Sequence, residues 1–223
     1  MHLAIIVDGN GRWGVNHFGV RTKGHEEGAR NIWRIVQSLP EGISNLTLYG
    51  LSIDNINARP NEEIQKLYKI FEDGCSEGIE KAKLAKIRLN YIGNGGLPGS
   101  LLNLIHIAEW ATQGNSALVL SIALSYGSRN EITRAAAKLQ SWDTPITTKN
   151  LSRALDTHDL PDVDLLVRTG GEKRLSDFLL WQCAYAELFF TDTLFPDFSG
   201  GELESILGEF HTRQRRYGGL GQP

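Results

Sequence analysis

Cysteine, clustered histidine and long apolar runs are scarce or absent in this 223-residue chain, and each absence excludes a class of protein. Its two cysteines, Cys75 and Cys183, form no C-x-x-C pair, so neither a disulfide scaffold nor a cysteine-ligated metal site is expected. The six histidines show no H-x-x-x-H spacing, which argues against zinc. We expect both thiols to be buried and reduced, as in a cytoplasmic protein.

The chain also lacks a strong net charge and any recognisable targeting signal. The net charge is only −3, so no nucleic-acid partner is expected. No segment approaches the roughly 18 consecutive apolar residues that indicate a membrane span, and the first residues resemble a strand rather than a basic leader. The length and the ordinary composition, 41% hydrophobic and 22% charged, suit one domain over residues 1–223. These features predict a cytoplasmic globular protein without a transmembrane segment.

Strand-like and helix-like segments alternate along the chain. The strand-like runs are Leu3–Val7, Leu46–Ile53, Ile87–Ile92, Leu118–Ser125, Val163–Val167 and Leu188–Leu194. Apolar residues at helical spacing occupy residues 29–39, 64–82, 101–111, 131–139 and 203–216, and residues 93–99 and 141–149 resemble surface loops. This alternation predicts an α/β fold with a mostly parallel sheet that helices cover on both faces.

Polar and glycine-rich segments follow the predicted strands, where sheets of this kind bind ligands. The chain reads D-G-N-G-R-W at residues 8–13, S-I-D-N-I-N-A-R at 52–59, Y-G-S-R at 126–129 and R-T-G-G-E-K-R at 168–174. Backbone N–H groups of glycine loops and arginine guanidiniums both bind phosphate oxygens. We therefore expect these segments to form one anion-binding site.

The glycines at positions 9, 11 and 14 match the G-x-G-x-x-G spacing of a dinucleotide-binding turn. Three features argue against that interpretation. Asp8 would repel a bare pyrophosphate, helical periodicity begins only near His25, and the acid after the second strand, Asp54, lies about 40 positions beyond Gly14. A P-loop is disfavoured because G-x-x-x-x-G-K-[ST] is absent. An acid beside a Gly-Asn-Gly-Arg loop better fits a diphosphate with Mg²⁺ held by Asp8.

Four longer motifs span nearly the whole chain. They are H-L-A-I-I-V-D-G-N-G-R-W from residue 2, R-x-x-G-H-x-x-G from residue 21, D-L-L-V-R-T-G-G-E-K-R-L-S-D-F-L-L-W-Q-C-A-Y-A-E-L-F-F-T-D-T-L-F-P-D-F from residue 164, and R-R-Y-G-G from residue 215. Together they resemble the cis-prenyltransferases of the undecaprenyl diphosphate synthase type, whereas the D-D-x-x-D box of trans-type enzymes is absent.

This resemblance implies a single six-stranded, mainly parallel sheet flanked by helices around a hydrophobic tunnel, usually in a homodimer. It implies Mg²⁺-assisted coupling of an allylic prenyl diphosphate to a second five-carbon prenyl diphosphate. Any membrane contact would be peripheral, through the product.

The resemblance also implies roles for particular residues. Asp8 corresponds to the essential acid at Mg²⁺ and the diphosphates, and Asn55 to the proton acceptor. Glu187 corresponds to a second acid at Mg²⁺, contributed by the partner subunit. The residues implied to bind substrate are Gly9, Asn10, Gly11, Arg12, Trp13, Arg21, His25, Ser52, Asp54, Arg59, Arg168, Arg174, Ser176, Arg216 and Gly218. Of these, Arg168, Arg174 and Ser176 correspond to the pocket for the second diphosphate.

Several of these residues also have ordinary structural interpretations. Trp13 fits core packing, His25 fits a helix start, and Glu187 fits a surface acid before a strand. Tyr68 and Phe71 lie on the long helix, where they either pack in the core or close the tunnel. The C-terminal arginines also fit a solvated basic tail.

The segment L-S-I-D-N-I-N-A-R-P at residues 51–60 departs from the usual F-S-S-E-N-W-x-R-P of the family. Ile53, Asp54 and Ile56 replace Ser, Glu and Trp, and Arg59 aligns only if Ala58 is an insertion. Because this segment lies where the two substrates meet, we expect a short product and an irregular head-to-middle coupling of dimethylallyl diphosphate with geranyl or a similar allylic diphosphate. The alternatives are a regular head-to-tail synthase of the undecaprenyl type, which uses isopentenyl diphosphate, and a non-catalytic partner subunit.

Overall fold

One parallel sheet forms the centre of the protein, and the structure, a computed structural model, describes residues 1–213. The strands are β1 (His2–Ile6), β2 (Asn45–Ser52), β3 (Ile87–Ile92), β4 (Leu118–Tyr126), β5 (Leu165–Arg168) and β6 (Glu187–Phe190). They pair in the order β3-β4-β2-β1-β5-β6, and every pair is parallel. The predicted six-stranded sheet is confirmed, and it is wholly rather than mainly parallel.

Helices connect the strands and cover the sheet. They are α1 (Asn10–Phe18), α2 (Arg21–Gln37), α3 (Ile53–Ala58), α4 (Asn61–Leu84), α5 (Gly99–Thr112), α6 (Ser128–Ser141), α7 (Thr148–Ala154) and α8 (Gly200–Thr212), with a 3₁₀ turn at Phe195–Asp197. Helices α1, α3 and α7 were not expected. The first has nine residues, of which two are glycines, and it buries only those glycines. The other two are too short to show a helical period.

Successive side chains of β1 point to opposite faces of the sheet and bury apolar surface on both. Leu3 and Ile5 pack in the cluster that includes Ile35 of α2. Ala4 and Ile6 pack in the cluster on the other face. Because both faces of this strand are buried, its sequence is a continuous apolar run, as is typical of a central parallel strand.

A register shift interrupts the pairing of β2 with β4 around Gly50, between Tyr49 and Leu51. Such bulges bend a strand locally and redirect its side chains. Here the bulge directly precedes Ser52, the last residue of β2, so it determines how the chain leaves the sheet at the carboxyl end.

Both thiols are free, with Cys183 buried and Cys75 partly buried. Burial raises the pKa of Cys75 to about 11 and that of Cys183 to about 12, so both are protonated at neutral pH. Within residues 1–213 there is no helix that combines the length and the apolar character needed to cross a bilayer.

Candidate active site

The segments that follow β1, β2 and β5 converge on one pocket of about 360 Å³ at the carboxyl edge of the sheet. Thirteen of the predicted site residues line it: Asp8, Gly9, Asn10, Gly11, Arg12, Arg21, His25, Ser52, Asn55, Arg59, Arg168, Arg174 and Ser176. The segment after β4, residues 126–129, does not line it, although it was expected there. Tyr126 is instead buried and donates a hydrogen bond to Glu131 at 2.6 Å.

Asp8 and Arg168 form the centre of this pocket. Asp8 follows β1, and its Oδ2 accepts a hydrogen bond from Arg168 Nη2 at 2.9 Å. Its Oδ1 accepts one from the backbone N–H of Gly9 at 2.7 Å and lies 3.5 Å from Arg12 Nη2. The Asp8 side chain is 32% exposed, whereas that of Arg168 is 5% exposed. A carboxylate that faces the pocket is therefore held between two guanidiniums.

Arg168 is the last residue of β5, and its guanidinium connects two segments of the pocket. Besides Asp8, its Nη1 donates to the hydroxyl of Ser176 at 2.8 Å and to the carbonyl of Arg174 at 2.5 Å. A buried, always charged fork of this kind suits bidentate recognition of oxyanions. Its Nε has no hydrogen-bond partner among the described residues.

Helix α1 begins at Asn10, directly after Gly9, whose φ of 107° is readily adopted only by glycine. The backbone N–H groups of the first turn have no acceptors within the helix and carry the positive end of its dipole, which favours an anion. The expectation that the first helix begins only near His25 is therefore wrong. The other two arguments against a dinucleotide turn, the acid Asp8 and the late end of β2, are unaffected.

A second cluster of ionisable side chains surrounds Glu63 of α4, and three of its members, Arg21, His25 and Arg59, line the pocket. The Glu63 Oε1 lies 3.1 Å from Arg59 Nη1, 3.5 Å from Arg21 Nε and 3.8 Å from His25 Nε2. Burial, reinforced by Arg59, lowers the pKa of His25 to about 4, so the imidazole is neutral at pH 7. Burial also lowers the pKa of Arg59. The arrangement presents two guanidiniums and a neutral imidazole to the pocket.

Ser52 and Asn55 hold the turn from β2 into α3. The hydroxyl of Ser52 accepts a hydrogen bond from the backbone N–H of Asn55 at 2.9 Å and so caps the helix. Asp54 lies in the first turn of α3 but is exposed and outside the lining of the pocket. Arg59 lines the pocket.

Two further predicted site residues lie outside the pocket of this chain. Trp13 donates from Nε1 to Asp197 Oδ1 at 2.7 Å and stacks on His17 at 4.2 Å between ring centroids. Glu187 begins β6 opposite the start of β5, at the amino edge of the sheet, and pairs with Arg213 at 2.8 Å. Arg216 and Gly218 lie outside the described residues. The substrate and metal roles of these residues stay predictions.

The family model described as undecaprenyl diphosphate synthase matches residues 6–218. The chain belongs to the cis-prenyltransferase family. Since this match covers almost the whole chain, including every residue of the pocket, the protein is a prenyltransferase.

Curated and solved members of the cis-prenyltransferase family resemble this chain over nearly its full length. An isoprenyl transferase of Helicobacter hepaticus is 46% identical over 98% of this chain and 97% of its own. The ditrans,polycis-undecaprenyl-diphosphate synthase ((2E,6E)-farnesyl-diphosphate specific) of Escherichia coli is 40% identical over 98% and 89%. The crystal structure of lavandulyl diphosphate synthase from Lavandula x intermedia, in complex with dimethylallyl diphosphate, superposes with a TM-score of 0.91 at 34% identity and covers 97% of both chains.

An apolar cavity of about 120 Å³ adjoins the pocket of this cis-prenyltransferase. It lies between α2, α4, α5 and the strands β3 and β4, and Phe71 and Leu124 line its near end. Gly50, which lines the pocket, separates the two spaces: a Cβ there would lie 2.8 Å from Leu124 and 3.2 Å from the ring of Phe71. Tyr68 is buried in the core beside Leu67 and does not line the cavity.

Sequence reasoning did not single out Glu63. Acidic residues are common on helices that face solvent, so nothing in the sequence distinguishes Glu63. Only the fold brings it between three basic side chains. Arg59 lies only four residues before it, but outside α4, which begins at Asn61, so the pair does not share a helix face that a sequence pattern would reveal.

Proposed function

We propose that this prenyltransferase couples an allylic prenyl diphosphate to a second five-carbon prenyl diphosphate at the Asp8–Arg168 centre, and that its product is short. One observation supports the coupling above all: the buried guanidinium of Arg168 contacts both the carboxylate of Asp8 and the hydroxyl of Ser176. The two predicted diphosphate positions therefore lie next to each other on either side of Arg168. A reaction between two bound diphosphates requires this proximity.

The allylic diphosphate binds at the first turn of α1, between Arg12 and Arg21. As the allylic C–O bond breaks, negative charge grows on the departing diphosphate. Fixed N–H donors and guanidiniums stabilise that charge more than they stabilise the bound substrate, and this lowers the barrier. His25, neutral at pH 7, contributes a hydrogen bond without charge.

Asp8 is the residue that we propose to hold Mg²⁺. In proteins Mg²⁺ keeps several waters and is often bound through one or two carboxylates together with substrate phosphates. A single, partly exposed carboxylate that faces an arginine-lined pocket fits that mode, and within residues 1–213 there is no cluster of three acidic, histidine or cysteine ligands that would form a separate cage. When bound, the ion supplies positive charge to the leaving diphosphate.

Isopentenyl diphosphate is the second substrate that we favour, in a regular head-to-tail coupling. The curated relatives support this choice, the Escherichia coli enzyme above all. Ser52 and Asn55 line the pocket between the two diphosphate positions, and we propose that Asn55 accepts the proton that is lost when the new double bond forms.

Irregular head-to-middle coupling of two allylic diphosphates is the second candidate. It is favoured by Ile53 and Ile56, which replace a hydroxyl and an indole in the segment where the substrates meet, and by the similarity to lavandulyl diphosphate synthase. A non-catalytic subunit is disfavoured, because Asp8, Arg12 and Arg168 are present and in contact.

The size of the apolar cavity supports a short product. An apolar cavity of about 150 Å³ accommodates one benzene, which has six carbons. A cavity of about 120 Å³ therefore has room for roughly one five-carbon isoprene unit beyond the pocket.

Product analysis after dephosphorylation tests both proposals. The enzyme with Mg²⁺ is incubated with dimethylallyl or geranyl diphosphate, with and without isopentenyl diphosphate. We expect short linear cis products only when isopentenyl diphosphate is present. Branched product from allylic diphosphates alone would replace the regular assignment with the irregular one, and a long cis polymer would refute the short product.

Removal of the central acid tests the shared mechanism. Asp8→Ala should lower kcat at least about 10²–10³-fold, the loss typical of one essential charge-stabilising group, while circular dichroism and the melting temperature show a folded protein. Asp73→Ala, on the exposed side of α4, is the matched control. Near-normal turnover of Asp8→Ala would refute the role of Asp8.

We also propose a cytoplasmic homodimer. β6 is an edge strand whose Leu188 is exposed, and a second copy would cover such an edge. Light scattering of the purified protein measures the mass directly, and a monomer at assay concentration would contradict this assignment.

A further inference from the structure

The loop after Arg174 has a strained backbone beside the pocket. Ser176, Asp177 and Leu179 have φ values of 51°, 61° and 45°. Positive φ is uncommon in residues other than glycine, and three such residues within four positions persist only where surrounding contacts hold them. Ser176 is the residue whose hydroxyl meets Arg168.

Asp177 joins this loop to the start of α6. Its Oδ1 accepts a hydrogen bond from the backbone N–H of Arg129 at 3.0 Å, and its carbonyl accepts one from the N–H of Ser128 at 2.8 Å. In return, the hydroxyl of Ser128 accepts the N–H of Leu180 at 3.0 Å. Three hydrogen bonds thus link the two segments, and an acid lies at the positive end of the α6 dipole.

Helix α6 has no side-chain cap of its own, because its N-cap residue is Gly127. A Cβ at Gly127 would lie 2.7 Å from Asp177 Oδ2. The Asp177 carboxylate therefore occupies the place where a local capping side chain would project. Asp177, 50 positions beyond Gly127, therefore caps the N-terminus of α6, a role that a local Ser, Thr, Asp or Asn fills in most helices.

The other side of the loop rests on the sheet. Phe178 is fully buried and stacks on Tyr49 at 4.4 Å between ring centroids. The Tyr49 hydroxyl lies within hydrogen-bonding distance of the Ser176 carbonyl, at 3.3 Å, and of the Tyr126 carbonyl, at 3.1 Å. Contacts with Tyr49 of the sheet hold one side of the loop, and hydrogen bonds of Asp177 to the start of α6 hold the other.

We infer that Asp177 is a positioning residue for the second diphosphate: by capping α6 from outside that helix, it holds Ser176 and the backbone of Arg174 against Arg168. This inference rests on the proposed function, since it assumes that these groups bind the second prenyl diphosphate. The position proposed for the allylic diphosphate is the first turn of α1, whereas the hydrogen bonds of Asp177 go to the start of α6. Loss of the cap should therefore act on one substrate and spare the other.

Steady-state kinetics of four variants tests this inference. Asp177→Ala should raise the KM for isopentenyl diphosphate about tenfold, equivalent to about 1.4 kcal/mol, with a much smaller change for the allylic substrate. Asp177→Asn should stay near wild type, because asparagine tolerates positive φ and its amide oxygen accepts the same bond. Asp143→Ala is the matched control, since Asp143 has a φ of 49° but is exposed and outside the pocket.

The fourth variant separates positioning from stability. In Gly127→Ser combined with Asp177→Ala, the serine caps α6 locally in the space that the carboxylate leaves. We expect the melting temperature, lowered in Asp177→Ala by about 2–4 °C for each kcal/mol lost, to recover while the KM stays raised. Recovery of both quantities, or an unchanged KM in Asp177→Ala, would overturn the inference. A wild-type enzyme that couples no prenyl diphosphates would instead overturn the proposed function.

Discussion

Phe71 should limit the length of the product. Its ring lines the near end of the apolar cavity and approaches Gly50, at the boundary with the diphosphate pocket. Phe71→Ala removes the six ring carbons, about the size of one benzene, which occupies a cavity of about 150 Å³. The space available to a growing chain would then roughly double from its 120 Å³, enough for about one more isoprene unit.

The assay compares product lengths after dephosphorylation, by mass spectrometry, for wild type and two alanine variants. Tyr68→Ala is the control, because Tyr68 is equally aromatic, lies on the same helix and is buried, but does not line the cavity. Each variant should lose up to about 3–5 kcal/mol of stability, the usual cost of removing an aromatic ring from a core. Only Phe71→Ala should lengthen the product. Unchanged product length in an active Phe71→Ala variant, or equal lengthening in Tyr68→Ala, would refute the reasoning.

Two further predictions concern the charge cluster around Glu63. Glu63→Ala should raise the KM for the allylic diphosphate several-fold, because Arg21 and Arg59 lose the carboxylate that orients them; an unchanged or lower KM would contradict this. His25 stays neutral in the folded protein down to a pH of about 4 but protonates near 6.5 when unfolded, so the unfolded state binds more protons and stability falls as the pH drops from 6.5 to 4. This contribution is at most about 3.4 kcal/mol, and urea unfolding at several pH values should show a shallower decline for His25→Gln than for wild type; equal slopes would refute it.

The sheet was predictable because its strands carry strong local signals. β1 and β4 are apolar runs bounded by polar loops, and such runs in alternation with helical patterns permit few arrangements other than a parallel sheet. α1 gave no such signal. Its sequence N-G-R-W-G-V-N-H-F contains two glycines, which have low helix propensity, so we attribute its helical conformation to contact with α2.

The site was predictable to the extent that its residues follow strands. Asp8 follows β1 and Arg168 ends the neighbouring parallel strand β5, so their proximity follows from the sheet order once β1 and β5 pair. Glu63 and Asp177 act through contacts between segments that are distant in the chain, Glu63 with Arg21 and Asp177 with the start of α6. No local pattern marks such residues. The homodimer, the magnesium ion and the cytoplasmic location stay predictions.

The guanidinium of Arg168 is rigid and planar and belongs to a buried strand, so in the proposed assignment it sets the separation of the two diphosphate positions. The apolar cavity that we propose for the hydrocarbon tail lies elsewhere, under α4, and neither Asp8 nor Arg168 lines it. In the proposed assignment, the reaction and the length of the product therefore depend on separate groups of residues. Substitutions under α4 are free to diversify the products in evolution, or in the hands of an engineer, while the reacting centre is inherited unchanged.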